Sequence, residues 1–222
     1  MEYSAKHRSI LSSLKAESPR YEVFLAGVVK YFEKSRDHNQ KEFPAIYAIN
    51  SRVKSDEHIL RKIKRKADKG INITKQNVFQ EITDFCGVRI LHMHIGQFET
   101  IHKLITKQVK DGDWVFHEHP VANFWDPDLE GFYRDLGLAV DIRETLYTSV
   151  HYLVKPRADV HTVCEIQVRN LFEEIWGEVD HFLNYPEVHK SQHCRRQLRV
   201  LSKLVCSGSR LVDSIFESAN QP

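Results

Sequence analysis

The apolar pattern changes period within residues 163–181, and this change restricts the folds open to the chain. Over residues 163–169 apolar and polar residues alternate, which is typical of a strand with one polar face. From Leu171 onward apolar residues recur three and four positions apart, which predicts an amphipathic helix directly after the strand. The polar face of the predicted strand carries Glu165, Gln167 and Arg169.

This polar face indicates a ligand site rather than a plain structural strand. Charges close to a core need partners, because an unpaired buried charge is costly. The following helix adds further polar positions on a second face, namely Glu174, Glu178 and His181. A metal-bound, phosphate-rich ligand would supply the missing partners.

The distribution of charge supports the same interpretation. The formal net charge is only +2, which argues against a dedicated duplex-binding protein. Lysine and arginine crowd into residues 54–69, whereas acidic residues collect after Asp111 and again within residues 165–180. A basic segment that folds against an acidic one suggests a polyanion bound together with a divalent cation.

Size and cysteine content indicate an intracellular globular protein. At 222 residues the chain is long enough to bury a core without covalent cross-links. Its four cysteines form no C-x-x-C pair, so we expect free thiols in a reducing cytosol. We see no signal peptide and no apolar run of the ~20 residues that span a bilayer. We therefore expect a cytoplasmic protein with no membrane contact.

Hydrophobic spacing divides the chain into three parts. Residues 1–44 form a predicted helical extension with a break at Ser18 and Pro19. Residues 45–185 contain the alternating strand patterns and the polar motifs, with an irregular acidic loop expected over 123–139. Residues 186–222 form a predicted helical segment whose apolar face suits core packing or an oligomer contact.

Two further motifs could complete the polar site. Arg52 and Lys54 lie at a strand-to-helix junction, where alternate residues point the same way. The lysine-rich helix that follows is, taken alone, more often a solvated face than a binding site. Asp84 precedes Gly87 and Arg89, a carboxylate before a strand on which glycine permits close backbone approach.

In their order along the chain these motifs resemble the synthetase domain of the RelA/SpoT family, over roughly residues 45–185. The matching segments are Ser51-Arg52-Val53-Lys54-Ser55, Asp84-x-x-Gly87-x-Arg89, Tyr147-x-Ser149-Val150-His151, Glu165-Ile166-Gln167-Val168-Arg169 and Trp176-Gly177-Glu178-Val179-Asp180-His181. In length the chain is similar to the stand-alone small alarmone synthetases. The resemblance implies transfer of the pyrophosphate of ATP to the ribose 3′-OH of GDP or GTP. The products would be guanosine tetra- or pentaphosphate and AMP.

The resemblance also implies a role for each matching residue. For ATP it implies adenine stacking and phosphate binding by Arg52, Arg89, Lys54, Lys62 and Arg65. Asp84 and Glu165 would bind Mg²⁺, and Glu165 would also lie near the attacking hydroxyl. Tyr147 would stack on guanine, while His151 and Gln167 would line the ribose and phosphate side of the acceptor. Phosphoryl chemistry fits such a set, because it depends mainly on positioning and on neutralising charge.

The implied fold is of the α+β class. We expect a mixed, mostly antiparallel sheet of about five strands flanked by helices, similar to a nucleotidyltransferase palm, with helical N- and C-terminal extensions. Relatives include tetramers, and the apolar helical ends suit a homo-oligomer. Three positions depart from the family pattern: Leu146 replaces glycine, Asn170 replaces threonine and His58 replaces a small hydroxyl residue.

Two alternatives stay open. One is a toxic relative that pyrophosphorylates the 3′ end of tRNA or makes an adenosine analogue, for which the basic run of residues 62–69 leaves room. The other is an inactive nucleotide-binding module with a regulatory role. The acceptor that receives pyrophosphate from ATP distinguishes the first alternative, and turnover distinguishes the second.

Overall fold

The computed structural model describes residues 3–38, 44–144, 147–184 and 191–219. Its helices are α1 (Ala5–Ala16), α2 (Ser18–His38), α3 (Asp56–Asp68), α4 (Val78–Glu81), α5 (Gly96–Lys110), α6 (Glu130–Asp135), α7 (Leu171–Asn184) and α8 (Gln192–Ala219). Its strands are β1 (Ala48–Val53), β2 (Cys86–His92), β3 (Val115–Phe116), β4 (Val121–Phe124), β5 (Ala139–Ile142), β6 (Ser149–Lys155) and β7 (Cys164–Asn170). The predicted change of period is confirmed, since α7 begins at the residue after β7 ends.

All these strands join one sheet in the order β1-β2-β7-β6-β4-β5, with β3 paired to β6. The pairs β2·β7 and β4·β5 are parallel and the other pairs are antiparallel. This confirms an α+β fold with a mixed, mostly antiparallel sheet, although the sheet has seven strands rather than about five.

The extra strands lie where we predicted irregular structure. Residues 123–139 were expected to form an acidic loop, but they contain the end of β4, a 3-10 turn at Pro127–Leu129, α6 and the start of β5. Each of β4 and β5 has only four residues, which is too short for alternation to stand out. These strands form because β4 pairs with β6 and β5 pairs with β4. No local pattern in the sequence predicts them.

One face of the sheet packs against α2 and α5, and α1 lies against α2, α3 and α4. Its core residues include Val88, Tyr152 and Ile166 from three neighbouring strands. The N-terminal helices contribute Leu14 and Phe32 to the same cluster, and both are fully buried. The helices before β1 therefore share the core of the sheet.

The other face of the sheet carries the polar residues and is bounded by α7 and α8. These helices form a second, smaller cluster around Trp176, Leu198 and Val205. Asn170 caps α7: its side chain accepts a hydrogen bond from the Glu173 amide, and the Glu173 carboxylate accepts one from the Asn170 amide. None of the helices in the described residues is long and apolar enough to cross a bilayer. The four cysteines are free, as predicted.

Candidate active site

Strand register brings five of the ten predicted site residues onto the polar face of the sheet. Because residues directly opposite on neighbouring strands share a face, the register decides which side chains meet. The aligned pairs are Arg52 with Gly87, Gly87 with Glu165, Arg89 with Gln167, and Gln167 with His151. Four adjacent strands therefore contribute to one continuous polar surface.

This surface forms a cleft of about 500 Å³, which we call the sheet cleft. Its walls include Arg52, Arg89, Glu165 and Gln167. Gly87 lies against the neighbouring strand, so that a Cβ atom there would be 3.1 Å from the Glu165 carbonyl oxygen. A larger residue there would force β2 and β7 apart by a few tenths of an ångström under the cleft.

Two lysines and one carboxylate form a compact charged cluster at the end of the β1·β2 pair. The Nζ atoms of Lys54 and Lys62 lie 2.5 and 2.6 Å from the two carboxylate oxygens of Asp84. Burial alone would raise the pKa of Asp84, but the two ammonium groups outweigh it and lower that pKa to about 2. Burial lowers the pKa of Lys62 despite its pairing with Asp84. The cluster therefore carries excess positive charge that a phosphate group would neutralise.

Glu165 lies at the centre of a second network. Its Oε1 atom is 3.2 Å from Nδ1 of His151, and its Oε2 atom accepts a 2.9 Å hydrogen bond from Nε2 of Gln167. Burial would raise the pKa of Glu165, and the charge of Asp84 acts in the same direction, but the hydrogen bonds from His151 and Gln167 lower it overall. Glu165 is therefore a carboxylate at neutral pH, and its pKa depends on both Asp84 and His151.

Tyr147 joins this network through its hydroxyl group. The hydroxyl lies 3.0 Å from Nε2 of His151 and accepts a 2.5 Å hydrogen bond from Nη2 of Arg169. The guanidinium of Arg169 also lies over the tyrosine ring, 4.9 Å from its centroid. Sequence reasoning placed Arg169 on the polar face but gave it no role in the site.

Arg89 is held by the acidic face of α7. Its Nη1 atom donates to Glu174 at 2.5 Å and to Glu178 at 2.6 Å. Nη1 of Arg169 lies 3.3 Å from the other oxygen of Glu174, so one carboxylate serves two arginines. Glu174 had been noted only as a polar residue on the helix, because nothing local shows that it reaches β2.

Arg65 and the Ser55–His58 pair lie on α3 or at its start, outside the charged cluster around Asp84. Arg65 is exposed on α3 and takes no part in the contacts around Asp84. Ser55 occupies the N-cap position of α3, but its side chain bonds the ring of His58 at 2.7 Å instead of a backbone amide. Burial and the charges of Arg61, Arg52 and Lys54 lower the pKa of His58. The substitution at Leu146 lies outside the described residues.

A second depression, which we call the outer cleft, borders Tyr147 on the side of α7 and α8. It has a volume of about 1530 Å³, and its walls include Tyr147, Trp176 and Asp180. Arg196 and Arg199 line it from the first turns of α8. The ring of Tyr147 packs against the cluster around Trp176, so the position of this ring depends on α7 and α8.

Comparisons with known proteins agree with this geometry. GTP pyrophosphokinase YwaC of Bacillus subtilis is 29% identical over 135 residues, which are 61% of this chain and 56% of the relative. GTP pyrophosphokinase YjbM of the same organism is 25% identical over 163 residues, which are 73% of this chain and 65% of the relative. The chain thus spans less than two thirds of the length of these relatives.

The fold matches that of the small alarmone synthetase 1 from Bacillus subtilis. The match has a TM-score of 0.73 at 18% identity and covers 94% of this chain and 97% of the other. A structure of that synthetase bound to its product pppGpp gives a TM-score of 0.71 at 18% identity, covering 93% and 97%. The family model described as "Region found in RelA / SpoT proteins" matches residues 51–190, more than half of the chain. The chain therefore belongs to the RelA/SpoT family.

Proposed function

We propose that this protein transfers the β,γ-pyrophosphate of ATP to the ribose 3′-OH of GDP or GTP. In this reaction the 3′ oxygen attacks the β-phosphorus, the bond between the β-phosphorus and the bridging oxygen to the α-phosphate breaks, and AMP leaves. The products are guanosine tetra- or pentaphosphate. Two relatives are named GTP pyrophosphokinases, and the matched synthetase has been solved with pppGpp as its product.

The observation that carries the proposal is the meeting of two charge clusters on one side of the sheet. A cation-rich cluster around Asp84 lies close enough to Glu165 for the charge of Asp84 to affect the pKa of Glu165. Lys54 and Lys62 are suited to bind the phosphates of ATP, which would replace Asp84 as their partner. Transfer of a charged phosphoryl group needs this kind of neutralisation and little covalent chemistry.

The adenine of ATP, the pyrophosphate donor, and the guanosine acceptor have separate places in this proposal. Arg52 and Arg89 both line the sheet cleft, on the same side of neighbouring strands, and their planar guanidinium groups suit stacking on adenine. Arg65 is close enough along α3 to join Lys62 on the phosphates only if its side chain reorients. Tyr147 offers a ring for guanine, and His151 and Gln167 border the position of the attacking ribose.

Asp84 and Glu165 fit a Mg²⁺ ion that is shared with the substrate. Mg²⁺ favours oxygen ligands, and in nucleotide sites it commonly takes one or two carboxylates plus phosphate oxygens. Phosphate oxygens of the substrate would complete the coordination of an ion held by these two carboxylates. When bound there, Mg²⁺ would neutralise charge that develops on the transferred group.

An acceptor assay tests the proposal. Purified protein is incubated with ATP, Mg²⁺ and, in separate reactions, GMP, GDP, GTP or deacylated tRNA, and the products are resolved by anion-exchange chromatography. We expect a 3′-pyrophosphorylated guanosine nucleotide together with an equal amount of AMP. Labelled tRNA without any guanosine product would favour the toxic relative, for which the supporting observation is the set of exposed cations Lys64 and Arg65 of α3 and Lys69 directly after it. A protein that binds nucleotides but releases no AMP in these reactions would be a regulatory module.

The proposal extends to a cytoplasmic protein that assembles with itself. Apolar side chains remain more than half exposed along one side of α8: Val200, Leu204, Leu211 and Ile215. Such a stripe on a long helix suits contact with a second copy of the chain. Light scattering after gel filtration should give a mass above that of one chain, and Leu204→Glu should reduce it to one chain.

A further inference from the structure

The outer cleft combines the ring of Tyr147 with a basic face of α8. Four polar residues of α8 line the cleft at positions i, i+3, i+4 and i+7, namely Gln192, Arg195, Arg196 and Arg199. This spacing places them on one face of the helix, and all four are exposed. Helix faces with this spacing usually carry apolar residues that pack against a core. Here the face carries arginines and borders a cleft of about 1530 Å³.

Tertiary contacts hold this basic face beside Tyr147. The indole Nε1 of Trp176 donates a 3.2 Å hydrogen bond to the carbonyl oxygen of Leu198, and both residues are buried. Leu198 directly precedes Arg199 on α8, so the contact fixes the rotation of this part of the helix. The ring of Tyr147 packs against the same cluster of residues. The tyrosine ring and the arginine face therefore share one support.

The positive charge of this face is not neutralised within the part of the chain that the structure describes. The guanidinium groups of Arg196 and Arg199 make no ion pair there. In contrast, the arginines next to the sheet cleft are paired, because Arg89 and Arg169 both contact Glu174. The basic face is thus the region near Tyr147 whose cations are available to an anion.

The lining of the outer cleft as a whole carries more positive than negative charge. Its carboxylates are Glu144 and Asp180, and Oδ1 of Asp180 accepts a 2.8 Å hydrogen bond from Asn184. The arginines that line the cleft outnumber these two carboxylates. Because a concave surface with an excess of one charge attracts ions of the opposite sign, the cleft suits an anionic ligand.

The contacts of Tyr147 connect this cleft to the reacting centre. The hydroxyl of Tyr147 lies 3.0 Å from Nε2 of His151, and Nδ1 of His151 lies 3.2 Å from Glu165. A nucleoside that stacks on the tyrosine ring can therefore direct its 3′ hydroxyl towards Glu165. Its own 5′-phosphates need other cations than Lys54 and Lys62, because these bind ATP in the proposed function and two phosphate chains repel each other.

From this geometry we propose that Arg196 and Arg199 bind the 5′-phosphates of the guanosine acceptor in the outer cleft, so that the enzyme distinguishes GTP and GDP from GMP. The assignment of the bound nucleotide as the acceptor rests on the proposed function. Arginine suits this task because its planar fork donates two parallel hydrogen bonds to a phosphate group. A longer 5′ chain extends further from the ribose and gains more of these contacts.

A binding series tests the proposal. The donor site is first saturated with the α,β-methylene analogue of ATP and Mg²⁺, so that no transfer occurs and GTP cannot occupy that site. Calorimetry then gives the dissociation constants of GMP, GDP and GTP for the wild type, Arg196→Met and Arg199→Met. Loss of one hydrogen-bonded charge should raise the dissociation constant of GTP about tenfold in each variant. The increase should be smaller for GDP and below about 2-fold for GMP, whose single phosphate lies nearest the ribose.

Two further variants separate phosphate binding from a structural effect. Arg196→Lys keeps a positive charge that still attracts phosphate, so it should recover most of the affinity for GTP that Arg196→Met loses. Arg157→Met makes the same type of change at an exposed arginine between β6 and β7, and it should bind all three nucleotides as the wild type does. Thermal unfolding checks that every variant is folded.

The outcomes are distinct. Unchanged binding of GTP in both methionine variants overturns the proposal, and so does an equal increase for GMP, GDP and GTP. Loss of tRNA binding with unchanged GTP binding also overturns it and assigns the basic face to RNA. A loss that grows with the number of 5′-phosphates supports the phosphate site. If the same protein releases no AMP from ATP with any guanosine acceptor, the proposed function fails and the phosphate site stands.

Discussion

Replacing Glu165 by Gln removes one charge at the centre of the site and preserves the size of the side chain. In the structure Oε1 of Glu165 faces Nδ1 of His151 and Oε2 faces Nε2 of Gln167. The amide oxygen of the new side chain can keep the bond from Gln167. Its NH₂ group then faces His151, which can accept at Nδ1 once its proton moves to Nε2.

The expected change in stability is small. Hydrogen bonds to a charged acceptor contribute about 1.5–3 kcal/mol and neutral ones about 0.5–1.5 kcal/mol, so each weakened bond costs about 1 kcal/mol. Removing a buried charge acts in the opposite direction, and so does relief of the repulsion from Asp84. The free energy of unfolding of Glu165→Gln should therefore lie within about 1 kcal/mol of the wild type.

The expected change in activity is large. A carboxylate placed at a reacting hydroxyl contributes about 10²–10⁴-fold to the rate, and each factor of ten corresponds to about 1.36 kcal/mol. We therefore expect Glu165→Gln to lose about 3–5 kcal/mol of transition-state stabilisation, several times its effect on folding. Binding of a non-hydrolysable ATP analogue without Mg²⁺ should change little.

Three measurements on one preparation decide the matter: the initial rate of AMP formation with GDP, the dissociation constant of the ATP analogue by calorimetry, and unfolding in urea. Glu99→Gln, at a half-exposed residue of α5 that pairs with Lys103, is the matched control and should keep full activity. Turnover of Glu165→Gln within about tenfold of the wild type would refute the role that we assign to Glu165. A loss of activity that accompanies unfolding of the variant would also refute the reasoning, because it would make the effect structural.

Further predictions concern packing, pH and the donor. Gly208→Ala should destabilise the protein by about 1–2 kcal/mol in urea unfolding, because its Cβ would lie 2.6 Å from Cε1 of Phe172 and overpacking outweighs the gain in helix propensity. At Gly27 an added Cβ atom would have no neighbouring atom within 4 Å, so Gly27→Ala should instead stabilise the protein by up to about 1 kcal/mol. Equal changes in stability at the two sites would contradict the packing argument. Burial raises the pKa of Glu173 from 4.5 to about 7. A raised carboxyl pKa means that stability falls as the pH rises from about 4.5 through 7. Glu173→Gln should therefore stabilise the protein by up to about 3 kcal/mol above pH 7 and hardly at all below pH 4, as unfolding in urea across this range would measure. Lys62→Met should raise KM for ATP at least tenfold in initial-rate assays and leave KM for the acceptor nearly unchanged; equal changes in both would remove Lys62 from the donor site.

The local patterns of the sequence predicted much of this architecture. The alternation over β7 and the helical spacing of α7 were readable because both periods persist for at least seven residues. The same alternation placed Glu165, Gln167 and Arg169 on one face, as the structure confirms. The short strands β4 and β5 were missed because four residues give no clear period and their partners are distant in sequence.

The residues of the site could also be predicted from the sequence, but the contacts between them could not. Sequence reasoning gave Asp84 to a metal and Lys54 to a phosphate, and nothing local indicates that these side chains bind each other in the free protein. They are 30 positions apart, and they meet because β1 and β2 pair in antiparallel register with Val53 opposite Cys86. Their roles with substrate stay predictions.

The sequence by itself determined the longer elements such as β7 and α7 and which of their side chains share a face, because these properties follow from backbone periods that persist over several residues. It also determined the family, through the order of five polar motifs along the chain. Only the tertiary structure decided that Glu174 of α7 serves both Arg89 and Arg169, and that Arg169 contacts Tyr147 and Gln167. Arg89 and Glu174 are 85 positions apart, and contacts over that separation depend on strand order and helix packing, which no local pattern specifies.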